Sequence, residues 1–184
     1  IVNQGGFMTS EAQPFVAGSV QTVIPPQSII QPGDMFMAGI ITCSIDDRPI
    51  YFASTTQAYR KLNLSPFLIR RAVALKLGGE PIPQDPASGV VPMPAAYQGV
   101  LGSYVDVAVS DSLLWNVYHH HDGFPDEGNK WVDASTQGIP FYYWHAHLAT
   151  AAGHAALGDE SDLAAHQARM EVWSRLAEQG NEPR

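Results

Sequence analysis

The sequence is poor in cysteine and in basic residues, and each shortage excludes a class of function. Its 184 residues carry 10 Lys and Arg against 18 Asp and Glu, which gives a formal net charge of −8 at pH 7. Nucleic acid and anionic lipid headgroups both favour clustered Lys and Arg, so we expect neither as a direct partner. Cys43 is the single cysteine, which excludes an internal disulfide.

Long apolar runs and catalytic sequence motifs are also missing. No run reaches the roughly 18 apolar residues of a membrane span, and the first ten residues lack the regions of a signal peptide. We therefore expect a chain that does not span a membrane. The G-x-S-x-G, Walker-type and G-x-G-x-x-G patterns are absent as well. For these reasons we predict no catalytic residue and no cofactor.

The reactive side chains that are present have structural explanations. Cys43 lies within an apolar run and has no basic neighbour, which predicts a buried, inert thiol. The acidic pairs Asp46-Asp47, Asp126-Glu127 and Asp159-Glu160 all lie in predicted turns, where solvated carboxylates are common.

The pattern of the whole chain predicts an α/β (α+β) fold in three parts that form one compact unit. Residues 1–79 are expected to form a small sheet with covering helices. Residues 80–104 contain five prolines, which exclude regular helix or central strand and predict an extended arm or linker. Residues 105–184 are expected to be mainly helical and to end in an antiparallel helical hairpin.

Three runs define the N-terminal part. "SVQTVI", residues 19–24, is a predicted strand. In "PGDMFMAGIITCSI", Asp34 is a predicted N-cap, and Met35–Ile45 is apolar on nearly every face, which is typical of a buried helix. "RPIYFAS", residues 48–54, is a continuous apolar run that suits a strand covered on both faces.

The next segment, "LSPFLIRRAVALKLGG", fits two structures. Ser65 is a predicted N-cap with Pro66 at the first helical position. The continuation over residues 73–77 alternates like a strand but also fits one face of a helix, so both remain open on the pattern alone.

The C-terminal part begins with a short β-like run that gives way to a helix at Ser110, a predicted N-cap. Two further helices are predicted, joined at Gly158-Asp159; the first begins near Pro140 and the second is capped by Ser161. Small residues on the first of these helices are expected to let the pair approach closely: Ala149, Ala152, Gly153 and Ala156.

Seven histidines raise the question of a metal site. Three of them, His119–His121, are consecutive, and consecutive helical residues point about 100° apart, so they cannot converge on one ion. His147 and His154 share a helix face but lie about 10 Å apart along the axis. Histidines at a helix end commonly bond its free carbonyls, and we predict that role for the run and no metal ligand.

An aromatic run opens the first helix of the hairpin. Four consecutive aromatic residues cannot all face one core, so some are expected to pack on the proline-rich arm or to contact a partner. The candidate partner contacts are Phe141, Tyr142, Tyr143, Trp144, Pro81, Pro83, Pro92 and Pro94.

Several segments resemble the C-terminal, extracytoplasmic region of a bacterial family of multi-pass membrane proteins related to protein O-mannosyltransferases. "GDMFMAGIITCSIDDRPIYFAS" is the most specific, through its R-P-I-Y-F-A block. "VDVAVSDSLLWNVYHHHDG" and "WVDASTQGIPFYYWHAHLATAAGHAALGD" resemble two further segments. The long proline-rich insert and Gly138-Ile139-Pro140 depart from the family's pattern. The resemblance favours a strand for "AVALKL".

The resemblance implies a soluble α/β lid on the periplasmic side of a membrane, without the transmembrane part in which the glycosyl-transfer chemistry of the family is expected. We therefore expect no enzyme but a membrane-extrinsic structural subunit that docks on and stabilises a membrane protein complex. The chain also resembles a small extrinsic polypeptide of a photosynthetic reaction-centre and light-harvesting assembly. The alternatives are an extracytoplasmic domain of a membrane glycosyltransferase that assists acceptor binding, and a metal-dependent hydrolase that uses the histidines.

Overall fold

The computed structural model describes residues 5–56, 58–78, 88–118 and 138–179. It has a mixed α+β fold, which confirms the predicted class. The chain divides into two compact units. The first comprises residues 1–69 and 74–83, and the second comprises residues 70–73 and 84–184.

The first unit is built from short antiparallel strand pairs and one long helix. Strand β1 pairs with β4, β2 pairs with β3, and β5 pairs with β7. Strands β2 and β3 form a hairpin whose turn contains Gly18 at φ 55°, a left-handed conformation that favours glycine. The elements in chain order are β1 (Phe7–Met8), β2 (Gln13–Ala17), β3 (Val20–Ile24), β4 (Ile29–Ile30), α1 (Pro32–Ser44), β5 (Tyr51–Ala53), α2 (Ala58–Lys61), a 3-10 turn (Ser65–Phe67), β6 (Leu68–Arg71) and β7 (Ala74–Leu77).

The predicted strand at residues 19–24 is confirmed as β3, and the strand favoured for "AVALKL" is confirmed as β7. Ser65 does not cap a long helix, because it begins the 3-10 turn that leads directly into β6. The core of this unit is made of aliphatic and aromatic side chains from the strands, from α1 and from the turns, among them Val20, Ile41, Phe52, Leu62, Leu64, Leu68 and Leu75.

Helix α1 exists as predicted, but the prediction that it is buried is wrong. Its inner face, with Ile41, Met37 and Ala38, packs on the core. The opposite face is exposed: Met35 is 55% exposed, Phe36 73% and Ile40 49%. Helix α1 is therefore apolar on nearly every side, but the described residues cover only one of its faces.

Two local predictions about the same region also need correction. Helix α1 is capped by Gln31, and Asp34 lies at the third helical position, where its carboxylate accepts from the Gln31 backbone N–H at 2.8 Å. Lys61 Nζ lies 2.9 Å from the same carboxylate. Strand β5 is not covered on both faces, because Phe52 is buried while Tyr51 is exposed.

The second unit opens with a strand and a helix inside the segment predicted to be an extended arm. For residues 88–104 that prediction is wrong, since they form β8 (Val90–Pro92), α3 (Ala95–Leu101) and the first residue of β9 (Tyr104–Asp106). Pro92 is the last residue of β8, and Pro94 is the N-cap of α3. Neither proline interrupts an element, because each stands at an end where its missing N–H matters least.

Strand β9 pairs antiparallel with β8 and leads directly into the helical part. Helix α4 (Val107–Asp111) follows and is capped by Asp106, whose carboxylate accepts from the Val109 N–H at 3.2 Å. The chain then continues as a π-helical turn (Ser112–Val117). The predicted cap, Ser110, is instead fully buried, and its Oγ accepts from the Ala72 N–H at 3.0 Å.

The C-terminal hairpin is confirmed. It consists of α5 (Ile139–Leu157) and α6 (Glu160–Gln179), joined through Gly158, which has the left-handed conformation of a helix C-cap. Pro140 lies in the first turn of α5, as predicted. The cap of α6 is Asp159, not Ser161, because the Asp159 carboxylate accepts from the Asp162 N–H at 3.3 Å.

Gly153 serves a different contact from the one predicted. A Cβ atom at this position would overlap Cγ2 of Val107 and would lie 3.0 Å from Cγ1 of Val105. The small residue therefore lets α5 approach strand β9 and the start of α4. Val91, Val105, Val107 and Ala149 are all buried at this contact.

Candidate functional site

Three of the buried polar side chains in the second unit are histidines that form one hydrogen-bonded cluster with a carboxylate. His147 and His154 lie on α5, His166 lies on α6, and Asp111 ends α4. His147 and His166 are fully buried, and His154 is 4% exposed. We call Asp111, His147, His154 and His166 the His–Asp cluster.

The Asp111 carboxylate joins two of these histidines. Its Oδ1 atom lies 2.7 Å from His166 Nε2, and its Oδ2 atom lies 2.9 Å from His154 Nε2. A carboxylate can only accept hydrogen bonds, so both Nε2 atoms carry the hydrogen and donate to Asp111. The Asp111 side chain is 26% exposed and is the most accessible of the four.

A second hydrogen bond extends the cluster to His147. The Nδ1 atoms of His147 and His166 lie 2.8 Å apart. When the His166 ring is neutral and carries its hydrogen on Nε2, its Nδ1 accepts and His147 Nδ1–H is the donor. The remaining nitrogen, His147 Nε2, is then a buried acceptor that has no hydrogen-bond partner among the described residues.

Burial keeps His147 neutral. Removal of the ring from water lowers its pKa to about 3, the charges of His166 and Arg169 act in the same direction, and the Asp111 carboxylate opposes them. A nearby histidine outside the cluster, His145, has its pKa lowered by burial and then by the Arg70 guanidinium.

His154 has a second carboxylate on its other side. Its Nδ1 atom lies 3.5 Å from Asp159 Oδ2, a separation within ion-pair range, yet Nδ1 has no hydrogen-bond partner within the part of the chain that the structure describes. At that distance and alignment the contact is too weak to count as a hydrogen bond. When the His154 ring carries its only hydrogen on Nε2, its Nδ1 lone pair faces a carboxylate oxygen, which is unfavourable.

Aromatic rings form one wall of the cluster. The Trp115 ring contacts the rings of His147 and His166 at centroid distances of 5.4 and 5.1 Å. The Arg169 guanidinium lies 5.6 Å from the Trp115 ring centroid, in range of a cation–π contact. The π-helical turn after α4 places Trp115 in this position.

The hairpin explains why distant residues meet. Since α5 and α6 are antiparallel and joined by two residues, His166 lies opposite the middle of α5, about four residues from both His147 and His154. Four helical residues correspond to about 6 Å, a distance that two imidazole rings can bridge. The 10 Å between His147 and His154 is therefore spanned by one histidine from the facing helix.

Two groups of these donors have the composition and spacing of metal ligands. In the first, donor atoms of Asp111, His154 and His166 all lie within 4.8 Å of one another. The second group contains His154, Asp159 and Asp162 and meets the same limit. Both use N and O donors, the types that zinc and related divalent ions take from proteins.

Sequence reasoning found part of this cluster. The shared helix face of His147 and His154 was visible in their spacing, but Asp111 was assigned no role. The predicted helical hairpin could have indicated the cluster, because it places His166 opposite the segment of the first helix that lies between His147 and His154. The run His119–His121 lies outside the described residues.

The candidate partner contacts are partly described. Phe141 is 51% exposed, whereas Tyr142, Tyr143 and Trp144 are half-buried, and the Tyr143 ring stacks on Trp173 at 4.4 Å. The aromatic run is thus divided between the hairpin and solvent, as expected from four consecutive helical positions. Pro92 and Pro94 are exposed, and Pro81 and Pro83 lie outside the described residues.

A separate candidate surface lies in the first unit. We call it the α1 face, defined by Met35, Phe36, Gly39, Ile40 and Cys43, all of which are exposed. The prediction of a buried Cys43 thiol is therefore wrong: Cys43 follows Phe36 by seven residues and shares its side of the helix. Two exposed aspartates, Asp46 and Asp47, follow the end of α1.

Comparison with known proteins adds no relative, since no protein-family model, curated protein or solved structure matches the chain. Among the described residues, no helix combines the length and the hydropathy needed to cross a bilayer.

Proposed function

We propose that this protein is a non-enzymatic, membrane-extrinsic interaction subunit that docks on a membrane protein complex and stabilises it. The observation that carries the proposal is the α1 face. Large apolar side chains that stay exposed along a well-formed helix typically mark a surface that a partner covers. Phe36, a member of this face, is 73% exposed.

Charge indicates the kind of partner. The α1 face contains no charged residue, and Asp46 and Asp47 are exposed beside its C-terminal end. The chain as a whole has a net charge of −8, so an anionic membrane surface would repel it. These features suit a protein surface that is apolar at its centre and carries Lys or Arg at its edge.

The resemblance of the sequence to an extracytoplasmic region supports a location on the periplasmic side of the membrane. The separate resemblance to a small extrinsic polypeptide makes a photosynthetic reaction-centre and light-harvesting assembly the complex to examine first. The exposed Phe141 at the start of α5 is a second candidate contact.

The test compares two substitutions in the full chain. Phe36→Asp places a charge on the α1 face, whereas Val100→Asp places the same charge at an exposed helical position in the other unit. After mild detergent extraction, we expect the unsubstituted chain and V100D to co-purify with a membrane complex in fixed stoichiometry, and F36D to be lost from it. Circular dichroism checks that both variants are folded.

Three results would contradict the proposal. The first is recovery of the chain only as a free monomer, and the second is a homodimer in light scattering that F36D dissociates. The third is a native N-terminus, determined by mass spectrometry, that belongs to a longer multi-pass protein; this result would support the glycosyltransferase-domain alternative.

A further inference from the structure

We propose that Asp111, His154 and His166 bind one divalent transition-metal ion of the zinc class. The three donor atoms come from three helices, two of the side chains are buried histidines, and all three meet within 4.8 Å. Two imidazole nitrogens and one carboxylate oxygen are a common protein ligand set for zinc, and water supplies a fourth ligand. The site lies wholly within the second unit.

The spacing of the donors is close to what a bound ion needs. Ligands about 2.0–2.1 Å from a tetrahedral ion lie roughly 3.3 Å from one another. Asp111 now lies 2.9 Å from His154 Nε2 and 2.7 Å from His166 Nε2. These two contacts end on different oxygens of Asp111, Oδ2 for His154 and Oδ1 for His166, and each of the two pairs has to separate by roughly half an ångström to admit an ion.

Asp159 and His147 lie where they can hydrogen-bond the metal-bound rings of His154 and His166 as outer-sphere partners. When an ion takes the Nε2 lone pair of His154, the ring hydrogen moves to Nδ1, which faces Asp159 Oδ2 at 3.5 Å. The unfavourable contact between a lone pair and a carboxylate thereby becomes a hydrogen bond from imidazole to carboxylate, an arrangement typical of zinc-bound histidine. His166 Nδ1 would likewise donate to His147 Nδ1, 2.8 Å away, with the His147 ring hydrogen on Nε2 instead of Nδ1.

Charge and access also favour this position. Asp111 and Asp159 together balance a doubly charged ion, and the charge of Arg169, whose guanidinium lies 5.6 Å from the Trp115 ring centroid, opposes it. The Asp111 side chain is 26% exposed, which leaves an entry route for the ion and space for a bound water.

The second group of possible ligands is less suitable. It shares His154 but adds Asp159 and Asp162, which lie at the N-terminus of α6. The positive pole of a helix disfavours a cation there. The Asp159 carboxylate is also engaged in capping that helix.

The experiment uses the full chain with His119–His121 replaced by Gln, so that this run cannot bind the metal adventitiously. Calorimetric titration with ZnCl₂ should give one site per chain, and Co²⁺ should give the visible absorption of a four-coordinate ion. X-ray absorption of the zinc form should show two imidazoles and oxygen ligands. This last measurement needs no change in the cluster, so it stays informative even if a ligand variant fails to fold.

Substitutions then assign the ligands. D111N, H154Q and H166Q should each weaken zinc binding by more than about 100-fold, whereas D159N, which changes an outer-sphere partner, should weaken it by about 10- to 100-fold. H145Q is the matched control, a buried histidine on the same helix outside the cluster, and should bind zinc like the parent chain. Loss in D162N equal to that in H154Q would assign the ion to the second group and overturn the proposal.

Two further outcomes would overturn it. The first is zinc binding by the natural chain that disappears when only His119–His121 are replaced. The second is a folded parent chain that binds no zinc.

Discussion

Two glycines within helices have opposite surroundings, which makes them a matched pair for testing the packing of single residues. A Cβ atom at Gly153 would overlap Val107 and press on Val105, whereas a Cβ atom at Gly39 would meet nothing within 4 Å. We expect Gly153→Ala to lower the free energy of unfolding by about 1–3 kcal/mol through overpacking. Gly39→Ala should raise it by about 0.5–1 kcal/mol, because alanine is the better helix former.

Urea denaturation of the two variants beside the natural chain measures both effects. The packing of α5 on the β9 region would be wrong if Gly153→Ala were as stable as the natural chain. A destabilising Gly39→Ala would instead show that the α1 face is covered in the isolated protein.

Helix caps show how far single residues can be predicted. Asp34, Ser110 and Ser161 were each predicted as caps, and in each case a neighbouring residue has that role. Polar residues occur both at a cap and within the first helical turn, since both positions offer backbone N–H groups. Sequence therefore locates the start of a helix to within a few residues but does not choose among the polar candidates.

At the scale of elements, Asp106 links the end of β9 to the start of α4. Its Oδ1 atom accepts from the Val109 N–H at 3.2 Å, and its Oδ2 atom lies 2.9 Å from Arg71 Nη2. Asp106→Asn keeps the capping oxygen and removes the charge, whereas Asp106→Ala removes both. We expect the alanine variant to lose about 1–3 kcal/mol of stability and the asparagine variant to lose less.

Chemical denaturation of both variants, with retention of helix checked by circular dichroism, tests this order. Equal losses in the two variants would show that the ion pair with Arg71 outweighs the cap. No loss in either variant would contradict the assignment of Asp106 as the cap of α4.

The sequence predicts which segments form helices and strands better than it predicts what packs against them. The apolar run of α1 predicts a helix correctly, but a sequence cannot show whether a partner outside the chain supplies the cover for its second face. Over residues 88–104 the prolines predict neither helix nor central strand, and that prediction is wrong. Pro92 and Pro94 were counted as breakers, whereas each lies at an element boundary where proline is tolerated.

At the scale of the whole molecule, buried histidines make stability depend on pH. The pKa of His145 is lowered by burial and then by the Arg70 charge, while a hydrogen bond to the Phe141 carbonyl opposes the shift. Below about pH 6.5 the unfolded chain binds a proton on this residue that the folded chain does not bind. The free energy of unfolding should therefore be fully maintained above that pH and should fall as the solution becomes more acidic.

Urea titrations at pH 7.5, 6.5 and 5.5, with a chelator present, measure this dependence. We expect His145→Gln to flatten the acid side of the profile, by at most about 1.4 kcal/mol per pH unit for one proton. Identical pH slopes for the variant and the natural chain would show that folding does not change the pKa of His145.

The His–Asp cluster could not be predicted as a whole. It joins Asp111 to His166 across 55 positions of sequence, through three helices whose relative placement depends on Gly153 and on the hairpin. Spacing within one helix predicts only the shared face of His147 and His154. The carboxylate that joins His154 to His166 becomes visible only when the packing of α4 on α5 is known.

The exposure of Cys43 gives the protein a built-in chemical reporter. It is the one cysteine of the sequence and stands on the same side of α1 as Phe36. A thiol-reactive dye or spin label would therefore attach at a single, known place in the unaltered chain. Its accessibility, compared between the isolated protein and the protein in its native surroundings, would report directly on whether anything rests against this helix.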